Sequence, residues 1–286
     1  MTNTQKRVRL REIFTRPGCT PSLVAHDALS ARILEDIGYE VISQGSMATA
    51  ISQYALPDIR LLTLKDYTEA IRKINDSVDI PVMCDWEDGF YNPDKIWYAV
   101  REYENAGAAS LQMEDLVPDN KHTAKTQALY PTGLVCDKIK AAVDARQDES
   151  MMILARNDAY VHNNPQDTIE RLNCYLEAGA DGVVIIWHKD QWSLEGIGKI
   201  RGQIRGPVQA LLNKGDTLEM AQKAGINIAG QSWLTLYSSL YAVKQAAEVF
   251  YKTGSNTALG EYIIDERLMD YYLPHYENSP HINKDE

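Results

Sequence analysis

The stretch VMCDWEDGFYN, from Val82 to Asn92, places Asp85, Glu87 and Asp88 close together, directly after an apolar run and directly before a glycine. Acidic clusters ordinarily sit on solvated loops, yet this one ends what reads as a buried strand. Other apolar runs end the same way. Gly45-Ser46 follows one, Glu114-Asp115 another, Arg156-Asn157-Asp158 a third, and His188 and Asn213 close two more. Alternation along a strand puts Asp85 and Glu87 on one side and turns Cys84 and Trp86 toward the helices. If Glu114 converges on them, three carboxylates share a pocket, where they repel one another and are costly to desolvate. A hard divalent cation relieves that cost, and an oxygen-only set with waters suits Mg²⁺ or Mn²⁺. The bland alternative is a solvated acidic loop end. Arg156 calls for a carboxylate or phosphate held as a two-pronged fork, or for a structural pair with Asp158 or Glu114. His188 reads equally as a structural group or a catalyst. His122, in PDNKHTAK, is a general acid that closes over substrate or a solvated side chain. Cys84 and Cys174 read as core packing.

These residues need a scaffold that brings strand ends together. Eight short, mostly apolar runs recur along the chain, at 21–27, 40–46, 81–87, 109–115, 151–158, 182–188, 207–213 and 227–232. Near-continuous apolar runs are the pattern of parallel strands buried on both faces. Helix-period segments separate them. Leu29, Ile33 and Ile37 share a face, with Gly38 as a stop. Asn92 and Pro93 open a helix with Ile96, Ala99, Val100 and Tyr103 inward and Gly107 after it. Pro165 opens another, with Ile169, Leu172 and Leu176 inward. The phrases ENAGA, LEAGA and QKAGI end helices in the same way, their glycines leading into the next strand.

Eight such units predict an α/β chain folded as a (β/α)₈ TIM barrel, with the strands' C-terminal ends forming the mouth. A doubly wound open sheet is the alternative. One domain over 1–286 is expected, with a polar lid at 116–134 and C-terminal helices from 233 to 286 outside the eightfold pattern. That tail carries DERLMDYYLPHY, an amphipathic segment with aromatics.

The net charge of −11 argues against nucleic acid as a partner. It leaves room for small anions, since a metal or an arginine reverses the field locally. The four cysteines lack C-x-x-C spacing, so neither a zinc site nor a disulfide framework is expected. A reducing, cytoplasmic setting follows. No apolar run reaches the ~18 residues of a membrane span, and the N-terminus lacks a signal peptide's apolar core.

The order of motifs resembles the isocitrate lyase / phosphoenolpyruvate mutase superfamily over roughly residues 8 to 255. HDALSARILEDIGYEVISQGS (26–46) is similar to the family's Asp-Ala-Leu-Ser-Ala run leading to a Gly-Ser-Gly turn. LPD (56–58), DWEDGFYN (85–92), MED (113–115), LARNDA (154–159) and YLEAGAD (175–181) match further family motifs in order. The resemblance implies a (β/α)₈ barrel with a swapped last helix and a homotetramer built as a dimer of dimers. It implies Mg²⁺ bound by Asp85, Glu87 and Glu114, directly or through water, with Asp58 nearby. Backbone amides of Gly45, Ser46 and Met47 would bind a substrate carboxylate or enolate oxygen. Arg156 would hold a carboxylate or phosphonate. Asn213, at the end of the seventh strand, is a further candidate for substrate binding.

Departures bear on the reaction. The lyase branch carries a Cys-Gly-His lid motif whose cysteine is the general acid; here the run is NKHTA (120–124), with His122 in that place. The mutase and hydrolase branch's Lys-Thr-Asn is absent. Glu87 stands where the family has aspartate, Met47 where it has a small residue, and Ile186 near a lyase-branch glutamate. The leading expectation is a Mg²⁺-dependent lyase that cleaves a C–C bond in a small 2-hydroxy or 2-oxo di- or tricarboxylic acid through a metal-stabilised enolate. His122, Arg156, Asp58 and His188 are its candidate catalytic groups. Alternatives are a phosphonopyruvate or carboxyphosphonoenolpyruvate mutase, a phosphonate hydrolase, an oxo-acid decarboxylase, and a non-catalytic binding barrel.

Overall fold

A computed structural model describes residues 1–89, 93–117, 127–187, 193–259 and 272 of the chain. The eight expected strands are all present: β1 (Thr20–Ala25), β2 (Ile42–Gln44), β3 (Val82–Asp85), β4 (Ser110–Glu114), β5 (Met152–Asn157), β6 (Gly182–Ile185), β7 (Val208–Leu211) and β8 (Ile228–Gln231). They pair in parallel and in sequence order into a closed barrel, with β1 hydrogen-bonded to β8. Closure decides between the two expected architectures in favour of the TIM barrel. The seam is tight at Gly230, where a Cβ would stand 1.5 Å from the Ser22 carbonyl oxygen.

Helices alternate with the strands: α1 (Asn3–Thr15), α2 (Ala28–Ile37), α3 (Ser46–Tyr54), α4 (Leu64–Asn75), α5 (Pro93–Asn105), α6 (Thr132–Ala145), α7 (Pro165–Glu177), α8 (Leu194–Arg201), α9 (Leu218–Lys223) and α10 (Leu234–Thr253). The inward stripe of α5 is as expected, with Ile96, Ala99, Val100 and Tyr103 all buried. Gly107, Gly179 and Gly225, the glycines of the three recurring phrases, take left-handed φ values of 97°, 108° and 77°. That conformation is sterically easy only for glycine. On α2 the face is rotated from expectation. Ala31 and Leu34 are buried, while Ile37 is 67% exposed. Ile37 is the last helical residue before the Gly38 cap, where the chain already turns outward.

Helix α1 has no clear periodic signal in the sequence, because its hydrophobic stripe is short. Leu10, Ile13 and Phe14 are buried with Val41, Met83, Ala109, Met152, Leu154, Val184 and Ile228 in a second apolar cluster. Each such side chain removed from water is worth about 2 kcal/mol. Charged residues anchor the same helix. Lys6 donates to the carbonyls of Asn75 and Val78, and Arg7 donates to those of Glu104 and Ala108.

The chain divides into two compact units, Met1–Thr235 and Leu236–Glu286. In the second, α10 leaves Leu240, Tyr241, Val243, Phe250 and Tyr251 exposed. Of the expected lid, 118–126 lies outside the described residues. Its base is an antiparallel bridge between Leu116 and Leu129, and α6 begins at Thr132. The DERLMDYYLPHY segment lies outside them too, Tyr272 excepted. Among the described residues, no helix is long and apolar enough to cross a membrane.

Candidate active site

The C-terminal strand ends surround a cavity of about 450 Å³. Five of the expected residues line it together: Ser46, Met47, Asp58, Asp85 and Arg156. Asp85 is the last residue of β3. Its Oδ2 accepts from the Ser46 hydroxyl at 2.9 Å and faces the Ser46 amide at 3.4 Å, and its Oδ1 accepts from the Glu87 amide at 3.1 Å. Strand β2 ends at Gln44 and Gly45 caps α3, so Ser46 and Met47 open a helix at the cavity wall. Helix N-termini carry unsatisfied N–H groups and a partial positive charge.

Glu87 is placed differently from Asp85. Strand β3 stops at Asp85, and Glu87 sits in a turn with φ of 51°. Alternation therefore does not carry through to it. Its carboxylate is buried, accepting from the Tyr67 hydroxyl at 2.8 Å and lying 3.3 Å from Arg60 Nε. Glu114, at the end of β4, is also buried. It stands between two guanidiniums, with Oε1 2.6 Å from Arg60 Nη2 and Oε2 3.0 Å from Arg156 Nη1. Neither Glu87 nor Glu114 is part of the cavity lining; both stand behind it. Asp88, alongside them, pairs with Arg60 Nη1 at 3.1 Å and accepts from the Tyr130 hydroxyl and the Lys138 ammonium.

Arg156 forks between Glu114 and Asp158, the latter at 2.7 Å. The structural pairing expected for it is present, and the residue also lines the cavity. Burial disfavours its charge, but Asp158, Glu114 and Asp85 outweigh that and hold it protonated. Burial pushes the Asp158 carboxyl above its usual range against the pull of Arg156. Asp115 is buried and does not line the cavity, accepting from Asn157, Tyr175 and the Asp158 amide. Burial raises the Cys84 thiol, so although it touches the cavity it stays unreactive.

Asn213 is not brought to the cavity; its backbone N–H donates to the Asp216 carboxylate in the loop after β7. His122 and His188 lie outside the described residues. The sequence reading passed over several lining residues: Gln44, Gln112, Gln209, Tyr160 and Ser232. Gln209 had a signal, since it interrupts the otherwise apolar β7; Gln44 ends β2 and Gln112 shares β4 with Ser110 and Glu114. Gln44 Oε1 and Gln209 Oε1 are buried without a hydrogen-bond partner, which marks them as acceptors awaiting a donor.

Among the described residues, no three His, Cys, Asp or Glu side chains group closely enough to hold an ion by themselves. The donor set nonetheless fits Mg²⁺, which keeps several waters and takes only one or two carboxylates. Asp85 and Asp58 both face the cavity, and Gln112 offers a further oxygen.

Fold and mouth together define a (β/α)₈ barrel with an acidic, arginine-bearing mouth. The phosphoenolpyruvate phosphomutase family model matches residues 10–250, and the chain belongs to that family, within the isocitrate lyase / phosphoenolpyruvate mutase superfamily. An oxaloacetate decarboxylase of Pseudomonas putida is 34% identical over 191 residues, covering 67% of this chain and 66% of that protein, just under two thirds of its length. A 2,3-dimethylmalate lyase of Eubacterium barkeri is 30% identical over 242 residues, covering 83% and 82%. A phosphonopyruvate hydrolase solved with oxalate and Mg²⁺ superposes with a TM-score of 0.82 at 26% identity, covering 95% of each chain.

Proposed function

We propose that this chain is a divalent-metal-dependent lyase that breaks a C–C bond in a small 2-oxo or 2-hydroxy dicarboxylic or tricarboxylic acid. The observation that carries the reading is Asp85, oriented by Ser46 at the head of a helix and facing a cavity that Arg156 also lines. Two relatives, by name a decarboxylase and a lyase of small dicarboxylates, support the same bond class. A bound Mg²⁺ or Mn²⁺ supplies an electrophile that draws charge from the substrate's oxo or hydroxy oxygen.

The chain's own groups do the rest. Asp85 is the metal ligand, with Asp58 beside it; Glu87 and Glu114 stand behind, paired with Arg60 and, for Glu114, with Arg156 as well. The amides at the start of α3, from Gly45 to Met47, favour a substrate carboxylate or a developing enolate oxygen. Arg156 holds a substrate carboxylate. The residue lines the cavity while held between Glu114 and Asp158. His188 is proposed as a further catalytic group, and His122 to protonate the carbanion left by cleavage. The unpaired cysteines suit a cytoplasmic setting, and the exposed apolar residues of α10 suit a homotetramer.

The test is turnover of oxaloacetate, alkyl-substituted malates, other 2-hydroxy acids and phosphonopyruvate with Mg²⁺, with products read by NMR. Cleavage of a carboxylic acid that disappears in Asp85→Asn and with chelator is the expected result. Turnover of phosphonopyruvate alone would move the chain to P–C chemistry.

A further inference from the structure

The loop between α3 and α4 does two things within three residues. Asp58 faces the cavity, and Arg60 reaches behind the wall. The Arg60 guanidinium touches three carboxylates: Glu114 at 2.6 Å, Asp88 at 3.1 Å and Glu87 at 3.3 Å. It also donates to the Leu116 carbonyl at 3.1 Å. Its backbone is left-handed, with φ of 61°. A non-glycine side chain is strained there and persists only where its surroundings over-determine it. The three ion pairs and the carbonyl bond do so. With its side chain only 8% exposed, Arg60 is a fixed buried cation, not a surface arginine folded inward.

Its position bears on the metal. Glu87 and Glu114 are the carboxylates that would otherwise reinforce Asp85. A water on a divalent cation needs an acceptor to orient it, and outer carboxylates supply both that acceptor and negative charge. Arg60 and Tyr67 already engage Glu87, and Arg60 and Arg156 already engage Glu114.

We propose that Arg60 is a resident counter-ion of the active-site carboxylates, a positioning residue that withdraws Glu87 and Glu114 from the metal and leaves a weak, readily exchanged divalent site resting on Asp85. This rests on the metal-dependent reading above. The guanidinium holds the acidic layer together without metal, so the barrel mouth is complete in the metal-free protein. A cation entering the cavity meets one unit less of net negative charge than the carboxylates alone would present.

The test measures Mn²⁺ binding by electron paramagnetic resonance and calorimetry, and thermal unfolding with and without metal, in the parent, Arg60→Gly, Arg60→Lys and Asp85→Asn. Glycine relieves the backbone strain while removing the cation. Arg60→Gly is expected to bind Mn²⁺ at least ~10-fold more tightly than the parent and to gain a metal-dependent rise in Tm that the parent lacks. Arg60→Lys, which keeps a point charge, should fall between them. If Arg60→Gly does not fold without metal, recovery of the fold on adding Mn²⁺ makes the same point, and the double variant with Glu87→Gln gives the affinity. Unchanged or weaker binding in the Arg60 variants, with parent binding that Asp85→Asn abolishes, overturns the inference and leaves the functional reading standing. Binding in Arg60→Gly but not in the parent upholds the inference and removes metal dependence from the parent. Absence of binding in all variants overturns both.

Discussion

The Ser46 hydroxyl donates to Asp85 Oδ2 at 2.9 Å, tying the first residue of α3 to the last residue of β3. One hydrogen bond thus aims the proposed metal ligand and fixes the helix N-terminus beside it. Ser46→Ala removes the bond and leaves the fold in place. Hydrogen bonds to a charged group are worth about 1.5–3 kcal/mol. Mn²⁺ affinity should therefore fall about 10-fold, with Tm little changed; calorimetry reads the first and circular dichroism the second. Full affinity in Ser46→Ala would mean that Asp85 is aimed by its neighbours alone.

Gln209 lies on β7 and lines the cavity, and its Oε1 is buried without a hydrogen-bond partner. A substrate hydroxyl or protonated carboxyl is the donor it lacks. Gln209→Leu keeps the volume and removes the acceptor. KM for the preferred substrate should rise about 10-fold while stability stays within 1–2 kcal/mol of the parent. A substrate without a free hydroxyl at that position should show no such penalty. Steady-state kinetics on a matched pair of oxo and hydroxy acids is the check.

Asp148 binds α1 to the barrel floor, accepting from Thr4, Arg7 and Ser150. Burial works to raise its carboxyl, but the bonds from Ser150, Arg7 and Thr4 outweigh burial and hold it below the ordinary carboxylate range. A depressed folded-state pKa contributes stability above the unfolded value of about 3.9 and loses it as pH falls through the folded value. Asp148→Asn should therefore be less stable than the parent at neutral pH, with the gap closing as pH drops below about 4. Denaturant unfolding across that range tests it; a gap constant with pH would remove the charge from the explanation.

Gly230 closes the barrel against β1, where an added Cβ would overlap the Ser22 carbonyl oxygen. Backbone cannot give way as a side-chain tip can. Gly230→Ala should destabilise by more than about 3 kcal/mol and reduce soluble yield. Gly133→Ala, at an open position of α6, should not.

Eight strands and the glycines ending three of the helices were legible because periodicity and turn chemistry are local. Asp85 was legible for a related reason, as a carboxylate closing an apolar run at a barrel mouth. Glu87 was not, because the strand stopped two residues before it and the left-handed turn after Trp86 carried it behind the wall. Arg60 gave no sign in a polar loop, since its partners lie 27, 28 and 54 positions away along the chain.

The sequence by itself determined the barrel, its strand order and the acidic character of its mouth, because hydrophobic period and residue type dictate which elements form and which ends carry charge. Only the tertiary structure decided which carboxylates face the cavity and which are neutralised behind it. That choice depends on where strand β3 ends, on a left-handed arginine and on contacts between distant segments, none of which a linear pattern encodes.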